Sequence, residues 1–165
     1  MLASHGPYYT FYSIYLEDHG YSKSVTGGLW ALGVIAEVFV FIFMSRLLGI
    51  FRLKILLIAS LLFATLRWLL IGYLVGSIVW LLVALVLHAA TFGMYHAVAM
   101  QYVHRFFKGR QQGRGQALYS SASFGAGMAV GSLYSGYLWN GAGAGVCFAT
   151  ASGLSLLAAL IDRKS

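Results

Sequence analysis

The chain has 165 residues, of which 60% are hydrophobic and only 9% are charged, whereas about a quarter of the residues in a soluble domain are charged. This composition excludes an ordinary water-soluble fold. The net charge of +7 does not indicate a nucleic-acid surface, because the basic residues lie between long apolar runs. We therefore expect a multi-span membrane protein.

Six apolar segments predict six transmembrane helices in an all-α fold. A helix that crosses a bilayer needs about 20 mostly apolar residues, and barrel strands would instead give alternating segments of about ten residues. The first segment is short for a complete crossing and contains Pro7. The predicted spans are residues 2–16, 25–44, 55–75, 78–103, 117–139 and 142–161.

The basic residues between these segments predict the orientation. Nine of the eleven Lys and Arg residues fall in residues 45–54, in residues 104–116 and in the C-terminal tail, whereas the alternate connections contain only Lys23. Because positively charged loops stay on the cytoplasmic side, we expect both termini to be cytoplasmic. These charges need no ligand to explain them.

Small residues in the last two spans indicate close helix packing. Gly127 and Gly131 form a GxxxG motif, which lets helix backbones approach each other in lipid. Gly141, Gly143 and Gly145 alternate with alanine and predict either a compact turn or a thin, bendable helix start at the last span.

One carboxylate, one guanidinium and two imidazoles lie inside the second, third and fourth predicted spans. Charged side chains cost at least about 2.5–3.5 kcal/mol at the centre of a membrane helix, so they normally have a partner or a function. Glu37 and Arg67 fall near the middle of the second and third spans, and His88 and His96 form one stripe with Phe92 on the fourth. Proton coupling by Glu37, Arg67 and His88 is one interpretation. A structural Glu37–Arg67 pair is the other.

Aromatic residues of the first two spans predict a wall for a solute. His5, Tyr8, Tyr9 and Tyr12 share a broad helix face, and tyrosines can stack against and hydrogen-bond a ring-shaped solute. Trp30 lies on the face of the second span that also carries Gly33 and Glu37. We therefore predict substrate binding by His5, Tyr8, Tyr12, Trp30 and His96, while helix packing remains an alternative for the tyrosines.

The sequence resembles a known transporter family in several segments. Residues 4–41 are similar to the seventh and eighth helices of the 3-phenylpropionate transporter family of the major facilitator superfamily. Residues 87–103 are similar to the tenth helix, and residues 113–127 to the start of the eleventh. The lactose permease branch is more distantly similar, and there a Glu, an Arg and a His on successive helices take part in proton coupling and sugar binding.

This resemblance implies that residues 1–165 form the C-terminal six-helix half of a proton symporter in the bacterial inner membrane. A proton gradient, without a bound cofactor, would drive uptake of a small organic solute such as an aromatic carboxylate. The implied partners are the solute, the lipid bilayer and an N-terminal six-helix half, in the same chain or in a separate subunit. The residues that match the family pattern include Glu37, Arg67 and His88.

Other functions remain as alternatives. The chain could be a sugar or nucleoside symporter half, or a membrane subunit that transports nothing. An intramembrane enzyme is not expected, because a rhomboid-type protease needs a late catalytic His and no histidine follows His104. His88 and His96 also lack the HExxH spacing of a zinc hydrolase.

Overall fold

The computed structural model describes residues 1–164, and every regular element in that range is helical, as the sequence predicts. A 3-10 turn, Leu2–His5, precedes the first α-helix. The α-helices are α1 (Gly6–Asp18), α2 (Lys23–Ile50), α3 (Leu53–Leu74), α4 (Ile78–His88), α5 (Met94–Phe106), α6 (Gln112–Ser120), α7 (Met128–Ala142) and α8 (Ala144–Lys164). Two π-helical segments, Ala89–Gly93 and Ser121–Gly127, join α4 to α5 and α6 to α7.

Four of the six predicted spans are long and apolar enough to cross a membrane. They are Lys23–Ile50, Leu53–Leu74, Ile78–Phe106 and Ala144–Arg163. The first and fifth predicted spans are also helical, but α1 has only 13 residues, and α6 and α7 are separated by a π-helical segment rich in Gly and Ser. Residues 1–164 thus contain four helices whose length and composition suit a membrane crossing.

The connection predicted between the second and third spans is shorter than expected. The sequence assigns residues 45–54 to a loop, but α2 continues to Ile50, so Arg46 lies on the helix and only residues 51–52 connect α2 to α3. Helix α2 contains no proline, and its backbone becomes extended only at Phe51. Hydrophobicity marks where a helix leaves lipid, whereas the helix itself ends only where its backbone changes conformation.

Glycines set the contact between α1 and α7. A Cβ atom added to Gly131 would lie 2.7 Å from the carbonyl oxygen of Ala3, and one added to Gly127 would lie 3.4 Å from the Cβ of Leu2. The GxxxG motif therefore packs α7 against the 3-10 turn and the start of α1, as the sequence predicts. Gly143, at φ +85°, makes the predicted turn between α7 and α8.

The largest buried side chains lie where α1, α3, α4 and α8 meet, and they include Tyr8, Trp68 and Phe148. Helix α2 packs outside this core, against α4, α5 and the π-helical segment between them. At one end of the bundle, Met1, Phe106 and Asp162 line a cavity of about 530 Å³. The beginning of the chain and the ends of α5 and α8 therefore lie at the same end of the bundle.

Candidate substrate and proton site

The side chains of Glu37 and His88 pair directly between α2 and α4. The Oε1 atom of Glu37 lies 2.7 Å from Nε2 of His88, and the Glu37 side chain is 18% exposed whereas His88 is buried. One turn before Glu37, a Cβ atom at Gly33 would lie 3.6 Å from the His88 ring. The small residue thus lets the imidazole approach α2 next to the carboxylate.

Arg67 lies deeper, between two aromatic rings. Its guanidinium carbon is 4.2 Å from the ring centroid of Tyr8 and 4.2 Å from that of Trp68, a geometry in which ring quadrupoles stabilise the cation. The nearest polar partner is His5, whose Nε2 atom lies 3.5 Å from Nη1 of Arg67. Because Glu37 pairs with His88, the direct Glu37–Arg67 pair considered from the sequence does not form.

The predicted aromatic wall assembles around these groups. The ring of Tyr8 is 4.5 Å from that of Trp30 and 4.8 Å from that of Tyr12, and His5 packs edge-on against Trp68 at 4.8 Å. The indole of Trp30 donates a hydrogen bond to Ser13 Oγ at 3.0 Å. The structure therefore brings four of the five predicted binding residues, His5, Tyr8, Tyr12 and Trp30, together beside Arg67 and His88.

His96 belongs to a neighbouring cluster. Its Nδ1 atom lies 3.2 Å from the hydroxyl of Tyr119, and its ring is nearly parallel to that of Phe92, with the centroids 6.4 Å apart. Phe92 also stacks with His88, so the predicted stripe of His88, Phe92 and His96 is present. Phe92 therefore lies between His96 and His88 and contacts both rings.

Sequence reasoning missed Tyr119 and Phe124, which complete the second cluster. The Phe124 ring lies 6.0 Å from His96 and 6.1 Å from Phe92. The available signal was that these two aromatic side chains interrupt a run of small residues in 113–127.

The two π-helical segments position these rings. Phe92 is in the first segment and Phe124 is in the second. A π-helical turn adds a residue to the helix and rotates the side chains that follow it, and such turns are frequent at functional sites. Here the first π-helical turn separates His88 from His96, and no periodicity in the amino-acid sequence predicts it.

This site can exchange protons, attract a negatively charged group and stack against a ring. Carboxylate and imidazole groups bind and release protons, Arg67 provides a fixed positive charge, and the aromatic side chains can contact a ring. Among residues 1–164, no group of three or more His, Cys, Asp or Glu side chains is arranged to hold a metal ion.

Comparison with known proteins gives a family and a relative. The model of the MFS_1 like family matches residues 1–150. The chain is 35% identical over 143 residues to a protein of Escherichia coli (strain K12) described as a probable 3-phenylpropionic acid transporter, and the match covers 87% of this chain and 37% of that protein. The chain thus spans well under half the length of this relative. No solved structure gives a significant match.

Proposed function

Because this chain belongs to the MFS_1 like family of transporters, we propose that it is the C-terminal six-helix half of a proton-coupled symporter. Its cargo is a small organic solute such as an aromatic carboxylate. This half lies in the bacterial inner membrane with both termini in the cytoplasm, and it works together with an N-terminal six-helix half.

The observation that carries the proposal is the Glu37–His88 pair beside the buried Arg67. A membrane helix bundle gains nothing in hydrophobic packing from these groups, since charged side chains are costly in lipid. A carboxylate that is hydrogen-bonded to an imidazole, yet still 18% exposed, can take up a proton from one side of the membrane and release it to the other. This argues against a membrane subunit that transports nothing.

The exposed face of the bundle supports a partner half. Only 11% of the most apolar part of α2 is buried, and Tyr9, which stacks on Trp30, is 41% exposed. The site therefore opens between α1 and α2. In transporters of this architecture, two halves rock against each other around a site near the membrane midplane, and a second half placed on this face would enclose the site.

Uptake in membrane vesicles tests the proposal. Right-side-out and inverted vesicles containing this chain alone, or this chain with a six-helix N-terminal half, would be given labelled 3-phenylpropionate after a pH jump. We expect accumulation only with both halves, and we expect a protonophore to abolish it. Accumulation that survives the protonophore would reject proton coupling, and accumulation by this chain alone would reject the need for a partner half.

A further inference from the structure

Arg67 is buried without a counter-ion that touches it. Its side chain is 0% exposed, and within residues 1–164 it forms no ion pair, since the carboxylate of Glu37 is held by His88. The Nη1 atom has one long contact to His5, whereas Nε and Nη2 have no hydrogen-bond partner. A buried donor without an acceptor is costly, and more so when the group is charged.

The unpaired groups around Arg67 also act as hydrogen-bond donors. The hydroxyl of Tyr12 and the indole Nε1 of Trp68 are buried and lack partners. Guanidinium and indole N–H groups can only donate, and tyrosine hydroxyls donate readily. Such a cluster complements a ligand that accepts several hydrogen bonds and carries negative charge, which is the chemistry of a carboxylate.

We propose that Arg67 anchors the carboxylate group of the transported solute, rather than carrying the proton. This inference rests on the proposed function and assigns the carboxylate of its substrate to one residue. Nε and Nη2 lie side by side on the planar guanidinium and match the two oxygens of a carboxylate. Trp68, already stacked on Arg67, provides a further donor at the same place.

A solute carboxylate can reach Arg67 only when the side chains that cover the guanidinium move. Tyr8 stacks on the guanidinium and His5 contacts its edge, and both residues belong to the beginning of the chain, in and before α1. Anchoring of the solute therefore requires displacement of side chains at the start of α1. This links occupation of the site to a change at the helix that lies next to the opening between α1 and α2.

Charge balance gives the anchor a role in coupling. The titratable groups that face this region are His5, Tyr8, Tyr9 and Tyr12 around α1, Glu37 on α2, and His88 and His96 on the fourth span. With neutral imidazoles, Glu37 and Arg67 cancel each other. A proton added to the Glu37–His88 pair leaves one excess positive charge, and a carboxylate at Arg67 removes it. The proton alone or the solute carboxylate alone would leave an uncompensated charge in a low dielectric. The proton and the solute therefore bind together.

A binding experiment on the complete transporter tests the anchor. Equilibrium binding of 3-phenylpropionate and of the uncharged 3-phenyl-1-propanol would be measured for wild type, Arg67→Gln, Arg67→Lys and the control Arg46→Gln, which alters an exposed arginine of α2. We expect Arg67→Gln to weaken binding of the acid about 10- to 100-fold and binding of the alcohol less than about 3-fold. Arg46→Gln should change neither.

The other outcomes separate this inference from the proposed function. If Arg67→Gln does not fold, Arg67→Lys provides the test, because lysine keeps the charge but lacks the paired donors. An affinity about tenfold weaker for the acid, with unchanged affinity for the alcohol, supports the anchor. Equal losses for acid and alcohol would mean that Arg67 is structural or is held by an acidic residue of the other half, and would overturn the inference while symport stands. A wild type that binds neither compound would overturn the aromatic substrate and the anchor with it.

Discussion

Glu37 is the residue at which the proton-coupling hypothesis is tested most directly. Glu37→Gln keeps the size of the side chain and can still hydrogen-bond His88, but it cannot gain or lose a proton. In the complete transporter, we expect this change to abolish uphill accumulation while exchange of labelled for unlabelled solute continues. Both are measured in vesicles with and without a pH gradient.

The matched control for this change is Glu17→Gln, which neutralises an exposed carboxylate at the end of α1. It should accumulate solute like wild type. Normal accumulation by Glu37→Gln would remove Glu37 from the coupling mechanism, and loss of exchange together with accumulation would assign it to solute binding or folding.

Two buried tyrosines of α1 differ in whether their hydroxyl has a hydrogen-bond partner. Both side chains are buried, but the hydroxyl of Tyr12 has no partner, whereas that of Tyr15 donates to the Gly72 carbonyl at 2.9 Å. Tyr15→Phe should therefore lower stability by about 1 kcal/mol, whereas Tyr12→Phe should lower it less or raise it. Midpoints of thermal unfolding in one detergent would compare them, and an equal loss for both would contradict an unpaired Tyr12 hydroxyl.

At the scale of single helices, the sequence predicts how far along a helix a residue lies better than it predicts which side chains touch. The sequence places Glu37 and Arg67 near the middle of their spans, and the structure brings both of them, together with His88, into one region. Which groups touch depends on helix rotation and tilt, and for this reason Glu37 pairs with His88 rather than with Arg67. The π-helical segments add residues to a turn without changing hydrophobicity, so the sequence pattern did not reveal them.

The contact between α1 and α7 gives a prediction at this scale. A Cβ atom on Gly131 would lie 2.7 Å from the Ala3 carbonyl oxygen, whereas one on Gly136, five residues later on α7, would have no atom within 4 Å. Gly131→Ala should push the two elements apart and cost about 1–3 kcal/mol. Gly136→Ala should be neutral or slightly stabilising, since alanine favours helix. Thermal unfolding of the two variants provides the comparison, and equal stability would show that this packing does not limit the fold.

For the whole molecule, the distribution of buried and exposed surface determines how the site is used. The polar groups lie in the centre of the bundle among α1, α3 and α4, while α2 and α7 carry large exposed apolar side chains such as Phe39 and Leu133. Lipid can cover such side chains, but lipid cannot provide an aqueous route to Glu37. Under the proposed function, we expect a second half to provide alternating access to the two sides of the membrane.

Charge balance makes a prediction for the complete transport cycle. One proton on the Glu37–His88 pair and one carboxylate at Arg67 add no net charge, so the loaded and the empty carrier cross the cycle with the same charge. Uptake of 3-phenylpropionate into proteoliposomes should therefore rise with an inward proton gradient. Uptake should not change when valinomycin and potassium impose an inside-negative potential at constant pH.

A membrane potential acts on each moved charge with about 2.3 kcal/mol per 100 mV, so even one extra proton per solute would give a clear increase in uptake. Such an increase would mean that a second group carries a proton, and His96, hydrogen-bonded to Tyr119, would be the first residue to replace.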